Sequence, residues 1–551
     1  DLAAGAQSPL QASLSSAVKL VHKVYFSFLA TELPSGQSAT FSLSCRIPFE
    51  NRVSTSSVTI DINAPPQPGF FDVTPASGVQ LSTPFTFTAS NWLDVNLPIT
   101  YLFGYLSSST HAFLAVQSQS ERAFGSAQLP AGLASDSYVQ RMEAHIFDVL
   151  SANSTARFPV VVEEGREFSL LDVLSFVNSS IASSVTVDAG KQAVALSNYL
   201  LNAVNCSSAP NCSALNRSPC ATTANTCGAC LPSMDGSLGH QGEAGAHNSA
   251  CGSQSLVQAL GRVGAACEPA QLQACGSFMT CADDGLCAMA PKTCASNCSG
   301  HGACSIRLAS LGAAPAGNDG DVCTVDMTQC EAVCVCDLGY KLSETCSLSN
   351  DEILQKQAAR ESVFVLLLSQ TGREDSSRET VAGLLSQLSD STLQADELSP
   401  DAANAARELA NYGLDMAQAV DLSNARLSPI LGTLDSLVTS QARGAAGANT
   451  SSTGVVNQTV DMLGRVGAAL AANMLPDEFP VQQVASMFRV GVTVFAPSPS
   501  QGAGEGTITV GVPQSDTELQ LLNAPVPAVV TFPAAAAAAA PAAPAAEGTA
   551  I

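Results

Sequence analysis

Eighteen of the nineteen cysteines lie in one stretch of the chain, from Cys206 to Cys346. Cysteine makes up about 13% of this stretch, above the ~8–10% that is typical of a disulfide-held fold. An even number at this density indicates small modules held by bridges rather than by large apolar cores. Disulfides persist in oxidising compartments, so we predict a protein that is secreted or lies on the extracellular side of the cell membrane.

Eight Asn-x-Ser/Thr sequons support the secretory route, because this tripeptide accepts N-linked glycans. The predicted glycosylation sites are Asn153, Asn178, Asn205, Asn211, Asn216, Asn297, Asn449 and Asn457. Cys45 stands alone, far upstream of the cysteine block. It is either a cysteine whose partner lies outside this sequence or a buried free thiol.

Composition narrows the class of protein further. With 551 residues, the chain is expected to form several domains. The net charge of −24 would repel a phosphate backbone, so we expect no nucleic-acid partner. The longest aliphatic and aromatic run, 363–368, is far shorter than the ~20 residues of a membrane span. The opening ten residues show no secretory signal, so we expect a fragment whose membrane attachment lies elsewhere in a longer chain.

The first 165 residues alternate apolar and polar side chains in short runs between turn residues, as antiparallel sandwiches do. Pro65 and Pro66 favour an extended linker, which predicts the end of one β-sandwich module in 1–62 and a second sandwich in 63–165. Trp92, the single tryptophan, is predicted to anchor the second core. The predicted strands are 25–30, 39–45, 57–63, 85–90, 99–106, 137–149 and 156–164.

Residues 62–105 carry an ordered series of Pro, Gly, Trp and Asp positions. The pieces are Pro65-Pro66-x-x-Gly69, Val73-Thr74-Pro75-x-x-Gly78, Thr83-Pro84-Phe85, Trp92-x-Asp94 and Leu97-Pro98-Ile99-Thr100-Tyr101. This series resembles the receptor-for-egg-jelly (REJ) module of polycystin-like ectodomains. The resemblance implies tandem, non-catalytic extracellular sandwiches of the immunoglobulin or fibronectin type III kind.

Residues 166–205 are rich in helix formers and are predicted to be a helical connector. Residues 206–293 form a cysteine-rich module with ten cysteines, and the spacing Cys267-x7-Cys275-x5-Cys281-x5-Cys287 indicates a small knotted unit. A zinc site is the alternative for part of this module. Its candidate ligands are Cys227, Cys230, His240, His247 and Cys251. Their spacing is poor and ten cysteines pair evenly, so disulfides are favoured and no metal is expected.

Residues 294–346 open with Cys294-x3-Cys298-x5-Cys304 and close with Cys334-x-Cys336-x-x-Gly339-Tyr340-x5-Cys346. This pattern resembles an EGF-like domain. The resemblance implies the pairs Cys294–Cys304, Cys298–Cys334 and Cys336–Cys346. The long insertion carries Cys323 and Cys330, which we assign to each other. The acidic ligands of calcium-binding members are missing, because residues 289–293 read Met-Ala-Pro-Lys-Thr, so we expect no bound calcium.

Residues 347–480 are predicted to be a helical bundle, because leucines recur at helical spacing around 381–388 and 427–437. Ser399-Pro400-Asp401 predicts a helix start and Gly413 a stop. Residues 481–533 return to β-strand patterns. A bundle followed by strands resembles, in order and element type only, the start of a GAIN-like region, although the cleavage tripeptide of that family is absent. The Ala/Pro-rich tail 534–551 is predicted to be disordered.

No hydrolase, metalloprotease or phosphate-binding motif occurs in the sequence. Glu143 and His145 fall on one face of a predicted strand, either as an acid–base pair or, more simply, on a solvated face. We therefore expect no enzyme, no catalytic residues and no cofactor. The favoured function is a non-catalytic extracellular segment of a large polycystin- or REJ-like receptor in adhesion, ligand binding or mechanical sensing. Its expected partner is an extracellular protein or glycan. A secreted matrix or cell-wall glycoprotein is the alternative, and a secreted hydrolase is the third.

Overall fold

The computed structural model describes most of the chain, with gaps mainly in the cysteine block and after residue 494. The described residues are 5–11, 24–29, 32–47, 52–107, 112–165, 168–183, 186–231, 245–251, 263–268, 275, 278–308, 323–327, 330–342, 345–447, 452–476, 478–485, 487–494, 507–513, 529–533 and 549–550. Strands dominate the first part, nine disulfides hold the middle and helices dominate the later part.

A two-stranded hairpin stands at the start. β1 (Ser38–Ile47) pairs antiparallel with β2 (Arg52–Asp61), and nearly all of their side chains are exposed on both faces. Of the predicted strand 25–30, the described part contains only an isolated bridge between Ala6 and Phe28. Among the described residues, neither face of this hairpin meets another sheet, and the end of a β-sandwich in 1–62 stays a prediction.

Eight strands form a two-sheet sandwich. Most are separated by seven residues or fewer. All their pairings are antiparallel except one, in which the strand at 77–79 runs parallel to the strand at 153–163. The strands are β3 (Phe70–Thr74), β4 (Ser77–Val79), β5 (Pro84–Ser90), β6 (Thr100–Leu106), β7 (Phe113–Ser120), β8 (Phe124–Gln128), β9 (Val139–Phe147) and β10 (Asn153–Glu163). One sheet has the order β4-β10-β9-β6-β7 and the other the order β3-β5-β8.

The core of the sandwich follows from the alternation of its strands. Phe85, Phe87 and Ala89 of β5 point inward while their neighbours are exposed. Strand β6 is different, because its apolar run is buried on both faces. Phe103 faces the inner core, whereas Leu102 packs on the outer side of the larger sheet. A sheet buried on both faces needs a second layer, and helices supply it.

Two helices follow the sandwich: α1 (Leu170–Ser183) and α2 (Val187–Asn202). Thr186 caps α2, since its hydroxyl accepts a 3.2 Å hydrogen bond from the backbone N–H of Ala189. The cysteine block then contains two described hairpins. These are β11 (Met279–Cys281) with β12 (Cys287–Met289), and β13 (Gly302–Leu308) with β14 (Cys330–Cys336).

Five longer helices come after the cysteine block: α3 (Asn350–Gln370), α4 (Arg378–Ser391), α5 (Pro400–Ala419), α6 (Asn424–Gly447) and α7 (Ser452–Ala472). Ser399 caps α5, as the sequence predicts. Gly413 does not end α5. It lies inside the helix, where a Cβ atom would come within 2.7 Å of Leu385 Cδ2, so the glycine permits close packing of α5 on α4. Among the described residues, the apolar stretches of these helices are too short for one of them to cross a membrane.

The last strands are short. They are β15 (Val481–Val484), β16 (Arg489–Val494), β17 (Thr507–Gly511), β18 (Val529–Pro533) and β19 (Thr549–Ala550). Strand β16 pairs with β15 and β19, and its inward valines join the core of the helices. The predicted disordered tail lies outside the described residues, apart from the two residues of β19.

One apolar core runs through α1, α2 and the five later helices. It contains Val173 and Val177 of α1 and Leu201 of α2 beside Phe364 of α3. The segment 166–205 is therefore part of the bundle rather than only a connector to it. The sequence suggested a connector because the cysteine block separates these two helices from the others along the chain.

Candidate functional site

Helix α2 joins two cores. Ala195 belongs to the core of the sandwich, whereas Val194 and Leu201 belong to the core of the helical bundle. Successive residues of a helix point in different directions around its axis, so the adjacent Val194 and Ala195 pack against different parts of the structure. The junction around α2 is the place where the β and α parts of the chain meet.

On the sandwich side, polar contacts fix the first half of α2. The carboxylate of Asp188 accepts hydrogen bonds from the backbone N–H of Ser118 at 2.8 Å and from its hydroxyl at 2.6 Å. Lys191 Nζ lies 3.2 Å from the same hydroxyl and 2.7 Å from Glu374 Oε1 in the loop between α3 and α4. Lys191 is mostly buried, so this ion pair ties three elements in a poorly solvated place.

On the bundle side, buried polar groups fix the end of α2. Asn198 donates to Ser391 Oγ at 2.8 Å, and Asn202 donates to the carbonyl of Asp390 at 2.9 Å. Asn202 also accepts a 2.8 Å hydrogen bond from Arg360. Asn198 therefore holds α2 against α4, and Asn202 holds it against both α4 and α3.

A buried cluster of charged residues, Arg360, Lys356 and Glu397, lies next to the end of α2. Arg360 is 1% exposed, and its guanidinium contacts Glu397 at 2.5 and 2.8 Å. Lys356 contacts the other Glu397 oxygen at 2.7 Å and the carbonyl of Leu201 at 2.9 Å. Sequence analysis missed this cluster. The sequence did contain a signal for it. Lys356 and Arg360 lie between Ile353 and Val363 at helical spacings of three and four, so both cations share the buried face of α3 with these two apolar residues.

Glu143 and His145 lie together, but the face is not solvated. The Glu143 side chain is 4% exposed, with His145 Nε2 at 3.0 Å and Arg157 Nε at 2.6 Å. The His145 ring stacks on Phe113. The hydrogen bond from His145, with Arg157 adding, lowers the pKa of Glu143 against the opposing effect of burial. The simpler expectation of a solvated face is wrong, because helices cover the outer side of this sheet.

The packing of the sandwich explains several residues of the Pro, Gly, Trp and Asp series in 62–105. A Cβ atom on Gly69 would come 2.2 Å from the carbonyl oxygen of Ser90, so only glycine fits there. Trp92 is buried in the sandwich core, as predicted, and its indole N–H donates to the carbonyl of Phe70 at 3.2 Å. The bonds preceding Pro75 and Pro98 are cis. The series thus marks turns and close backbone contacts of one sandwich.

The family model described as the REJ domain matches residues 5–199. The chain carries an REJ domain. The match extends beyond the predicted sandwich on both sides, since it takes in the hairpin, α1 and all but the end of α2. The REJ domain therefore includes the helix that enters the core of the bundle. No curated protein matches this chain in sequence.

Downstream of the REJ domain, all eighteen cysteines of the block are paired. The first ten form Cys206–Cys220, Cys212–Cys227, Cys230–Cys251, Cys267–Cys281 and Cys275–Cys287. The last eight form Cys294–Cys304, Cys298–Cys334, Cys323–Cys330 and Cys336–Cys346. These last four pairs are those that the EGF-like resemblance and the extra loop bridge imply.

The zinc alternative does not fit this pairing. Cys227, Cys230 and Cys251 are all disulfide-bonded and offer no thiolate to a metal. His247 Nδ1 accepts a hydrogen bond from the backbone N–H of Ser249 at 2.9 Å, and His240 lies outside the described residues. Cys45 is exposed on β1, which overturns the buried-thiol alternative.

The first cysteine module is centred on a charged residue that sequence analysis missed. Arg217 is 1% exposed, and its guanidinium donates to the carbonyls of Ser249, Gly228 and Gly245 at 2.5 to 3.1 Å. In a module with few apolar residues, a planar group with five donors can organise several loops at once. The residue types around it give no periodic signal, so its burial could not be read from the sequence.

Just before the segment 294–346, Lys292 contacts the insertion that carries Cys323 and Cys330. Lys292 Nζ donates to the carbonyls of Met327 at 2.5 Å and Cys330 at 2.8 Å. Tyr340 stacks on His301 with ring centroids 4.1 Å apart. Gly339 has φ +99°, which explains the glycine before this tyrosine.

The sequons differ in accessibility. Asn153, Asn178, Asn205, Asn211 and Asn297 are exposed. Asn216 is half-buried, and its amide donates to the carbonyl of Cys251 at 2.8 Å. Asn449 lies outside the described residues, and the side chain of Asn457 is likewise not described. Five of the predicted glycosylation sites are thus open to solvent.

Proposed function

We propose that this chain is a non-catalytic extracellular segment of a large polycystin- or REJ-like membrane receptor, and that it carries tension between an extracellular ligand and the membrane part. The REJ domain, the nine disulfides and the five exposed sequons support the extracellular side of the proposal. The ligand is an extracellular protein or glycan, and the membrane attachment belongs to a part of the receptor outside this sequence.

The observation that carries the mechanical proposal is the double role of α2. This helix ends the REJ domain, contributes Ala195 to the sandwich core and contributes Leu201 to the bundle core. Force applied to the sandwich therefore reaches the bundle through packed side chains as well as through the backbone. Two modules joined only by a flexible linker would instead unfold one after the other under force.

The disulfides set how far the intervening block can stretch. A fully reduced block from Cys206 to Cys346 could extend to roughly 500 Å, at ~3.5 Å per residue. Its interleaved loops, such as Cys206–Cys220 with Cys212–Cys227, remove most of that length. The block then behaves as a short tether, and the helices on either side of it remain close enough to share a core.

Pulling the full chain by its ends in a single-molecule experiment tests this proposal. Under oxidising conditions we expect the sandwich and the bundle to unfold together in one force step. The double variant Cys336→Ser/Cys346→Ser opens a loop with a sequence separation of 10 and should lengthen the oxidised chain by about 30 Å. Adding a reductant should lengthen the wild type by several times more. Two separate force steps in the oxidised wild type would contradict the proposal.

A further inference from the structure

One end of the sandwich presents aliphatic side chains to solvent. The loop between β5 and β6 (91–99) and the turn between β9 and β10 (148–152) lie side by side there, since the backbone N–H of Val149 donates to the carbonyl of Asn96 at 3.3 Å. Five aliphatic residues of these two segments are between 55% and 94% exposed, and Val95 is the most exposed of them. We call these residues the aliphatic tip: Leu93, Val95, Leu97, Val149 and Leu150.

The first of these segments is inverted relative to an ordinary surface loop. Its residues alternate, and the aliphatic ones of the tip point outward. Between them, Trp92 is buried, and Asp94 and Asn96 are half-buried. Asp94 Oδ1 accepts a 2.7 Å hydrogen bond from the backbone N–H of Asn96. Single exposed apolar residues are common on proteins, but a contiguous group of them marks an interaction surface.

Hydrogen bonds between polar side chains hold the two segments in this arrangement. The side-chain amide of Asn96 donates to Asn63 Oδ1 at 2.8 Å, and Asn63 in turn donates to the carboxylate of Asp148. The other carboxylate oxygen of Asp148 accepts a 2.8 Å hydrogen bond from the backbone N–H of Ala152. The exposure of the aliphatic tip is therefore a fixed feature of the fold.

The charges around the aliphatic tip define its partner. Residues 91–99 and 148–152 contain no cation, and their only charged residues are Asp94 and Asp148, whose carboxylates accept the hydrogen bonds just described. Protein interfaces draw most of their binding energy from Trp, Tyr and Arg, and Leu and Val are under-represented among such residues. A protruding surface that is aliphatic and uncharged matches the hydrocarbon of a lipid bilayer instead.

We propose that the aliphatic tip inserts into the surface of an electrically neutral lipid bilayer and so holds the REJ domain against the membrane. The net charge of −24 disfavours anionic lipids, which lie mainly in the cytoplasmic leaflet, whereas this domain belongs on the extracellular side. Insertion is shallow, because hydrocarbon does not tolerate unpaired backbone groups. The backbone N–H groups of Asn96, Val149 and Ser151 already have partners within the protein.

The expected binding is weak and reversible. The exposed parts of the five side chains amount to about a dozen carbon atoms, comparable to a single myristoyl chain, which binds bilayers with an association constant of ~10⁴ M⁻¹. Such an affinity suits a domain that a membrane receptor already keeps near the bilayer, because tethering raises the local concentration. Only this last point rests on the proposed function. Binding to vesicles needs neither tether nor tension, so it fails independently of the pulling experiment.

Trp92 allows the insertion to be tested in the unmodified protein, because it is the single tryptophan and directly precedes Leu93. The secreted full chain is mixed with phosphatidylcholine vesicles, with and without bromine on the acyl chains. Bromine quenches tryptophan fluorescence only at short range. We expect the chain to sediment with the vesicles and the fluorescence of Trp92 to fall with the brominated lipid. Binding should weaken when phosphatidylserine replaces part of the phosphatidylcholine.

Two double variants locate the binding surface. Val95→Ser/Leu150→Ser removes part of the aliphatic tip without changing the net charge, and it should weaken vesicle binding by about tenfold or more. Its melting temperature should match that of the wild type, because both side chains are exposed. The control is Leu354→Ser/Val365→Ser, which removes two exposed aliphatic side chains from α3 and should leave binding unchanged.

The proposal is overturned if the wild type does not bind, if it binds without quenching of Trp92, or if the variant of the tip binds as well as the control. Asn153 is an exposed sequon next to the turn, so Asn153→Gln is measured as well. Binding only after this substitution would show that a glycan of the chain covers the tip. A wild-type dimer that the tip variant abolishes would show that a second copy covers it. Either result contradicts the membrane as its partner.

Discussion

Asn202 accepts a 2.8 Å hydrogen bond from the buried guanidinium of Arg360, at the point where α2 ends and the chain enters the cysteine block. The contact joins residues that are 158 positions apart in the sequence. It fixes the last residue of α2 to the first long helix after the block. The cysteine block is thus an insertion between two parts of one helical core.

Replacing Arg360 by methionine should destabilise the folded protein by about 3–5 kcal/mol, because Glu397 loses one partner of a buried ion pair. The free energy of unfolding in urea measures this effect. Arg373→Met, in an exposed loop of the same region, is the control and should change stability by less than about 1 kcal/mol. Equal effects of the two variants would show that the cluster does not hold the junction.

Gly69→Ala should destabilise the REJ domain by about 1–3 kcal/mol, because the added methyl group meets the backbone carbonyl of Ser90. The same substitution at Gly383 on α4 meets nothing within 4 Å. It should stabilise the helix by about 0.5–1 kcal/mol, since alanine favours the helical backbone. Melting curves of the two variants should therefore move in opposite directions. A shift in the same direction would contradict the packing account of the REJ series.

Much of the sandwich could be predicted from the sequence, because alternating residues such as Phe85 and Phe87 set which face is buried. Trp92 was placed correctly because its large apolar side chain favours burial. Strands β3, β4, β7 and β8 were missed, and in β7 and β8 the polar residues hide the alternation. The union of α2 with the bundle could not be predicted, because it depends on contacts across the cysteine block.

Glu143→Gln should remove an acid-sensitive part of the stability. The pKa of Glu143 is lowered in the folded protein, so its charged form stabilises the fold above the unfolded-state pKa of about 4.3. This contribution is lost as the pH falls through the lowered folded pKa. The stability difference between wild type and variant should be largest near neutral pH and shrink below about pH 4. Urea unfolding across this range measures it, and a difference independent of pH would contradict the assignment.

Replacing both Cys336 and Cys346 by serine should destabilise the segment 294–346 by about 2–5 kcal/mol and make it sensitive to protease. A chelator should have no comparable effect on the wild type, because residues 289–293 offer no carboxylate ligand to a calcium ion. Limited proteolysis under native conditions compares the two treatments. Loosening by the chelator alone, with a resistant double variant, would indicate that a metal ion holds this segment.

Hydrogen exchange on the oxidised full chain tests the central claim most directly, namely that α2 makes the REJ sandwich and the bundle one cooperative body. Leu201→Ala removes a fully buried side chain from the bundle core and should cost about 2–5 kcal/mol. Leu354→Ala, exposed on α3, is the control. We predict that the amides of β6 and β9 lose as much protection as those of α4 in Leu201→Ala. Loss of protection confined to the helices, with the sandwich amides unchanged, would contradict the claim.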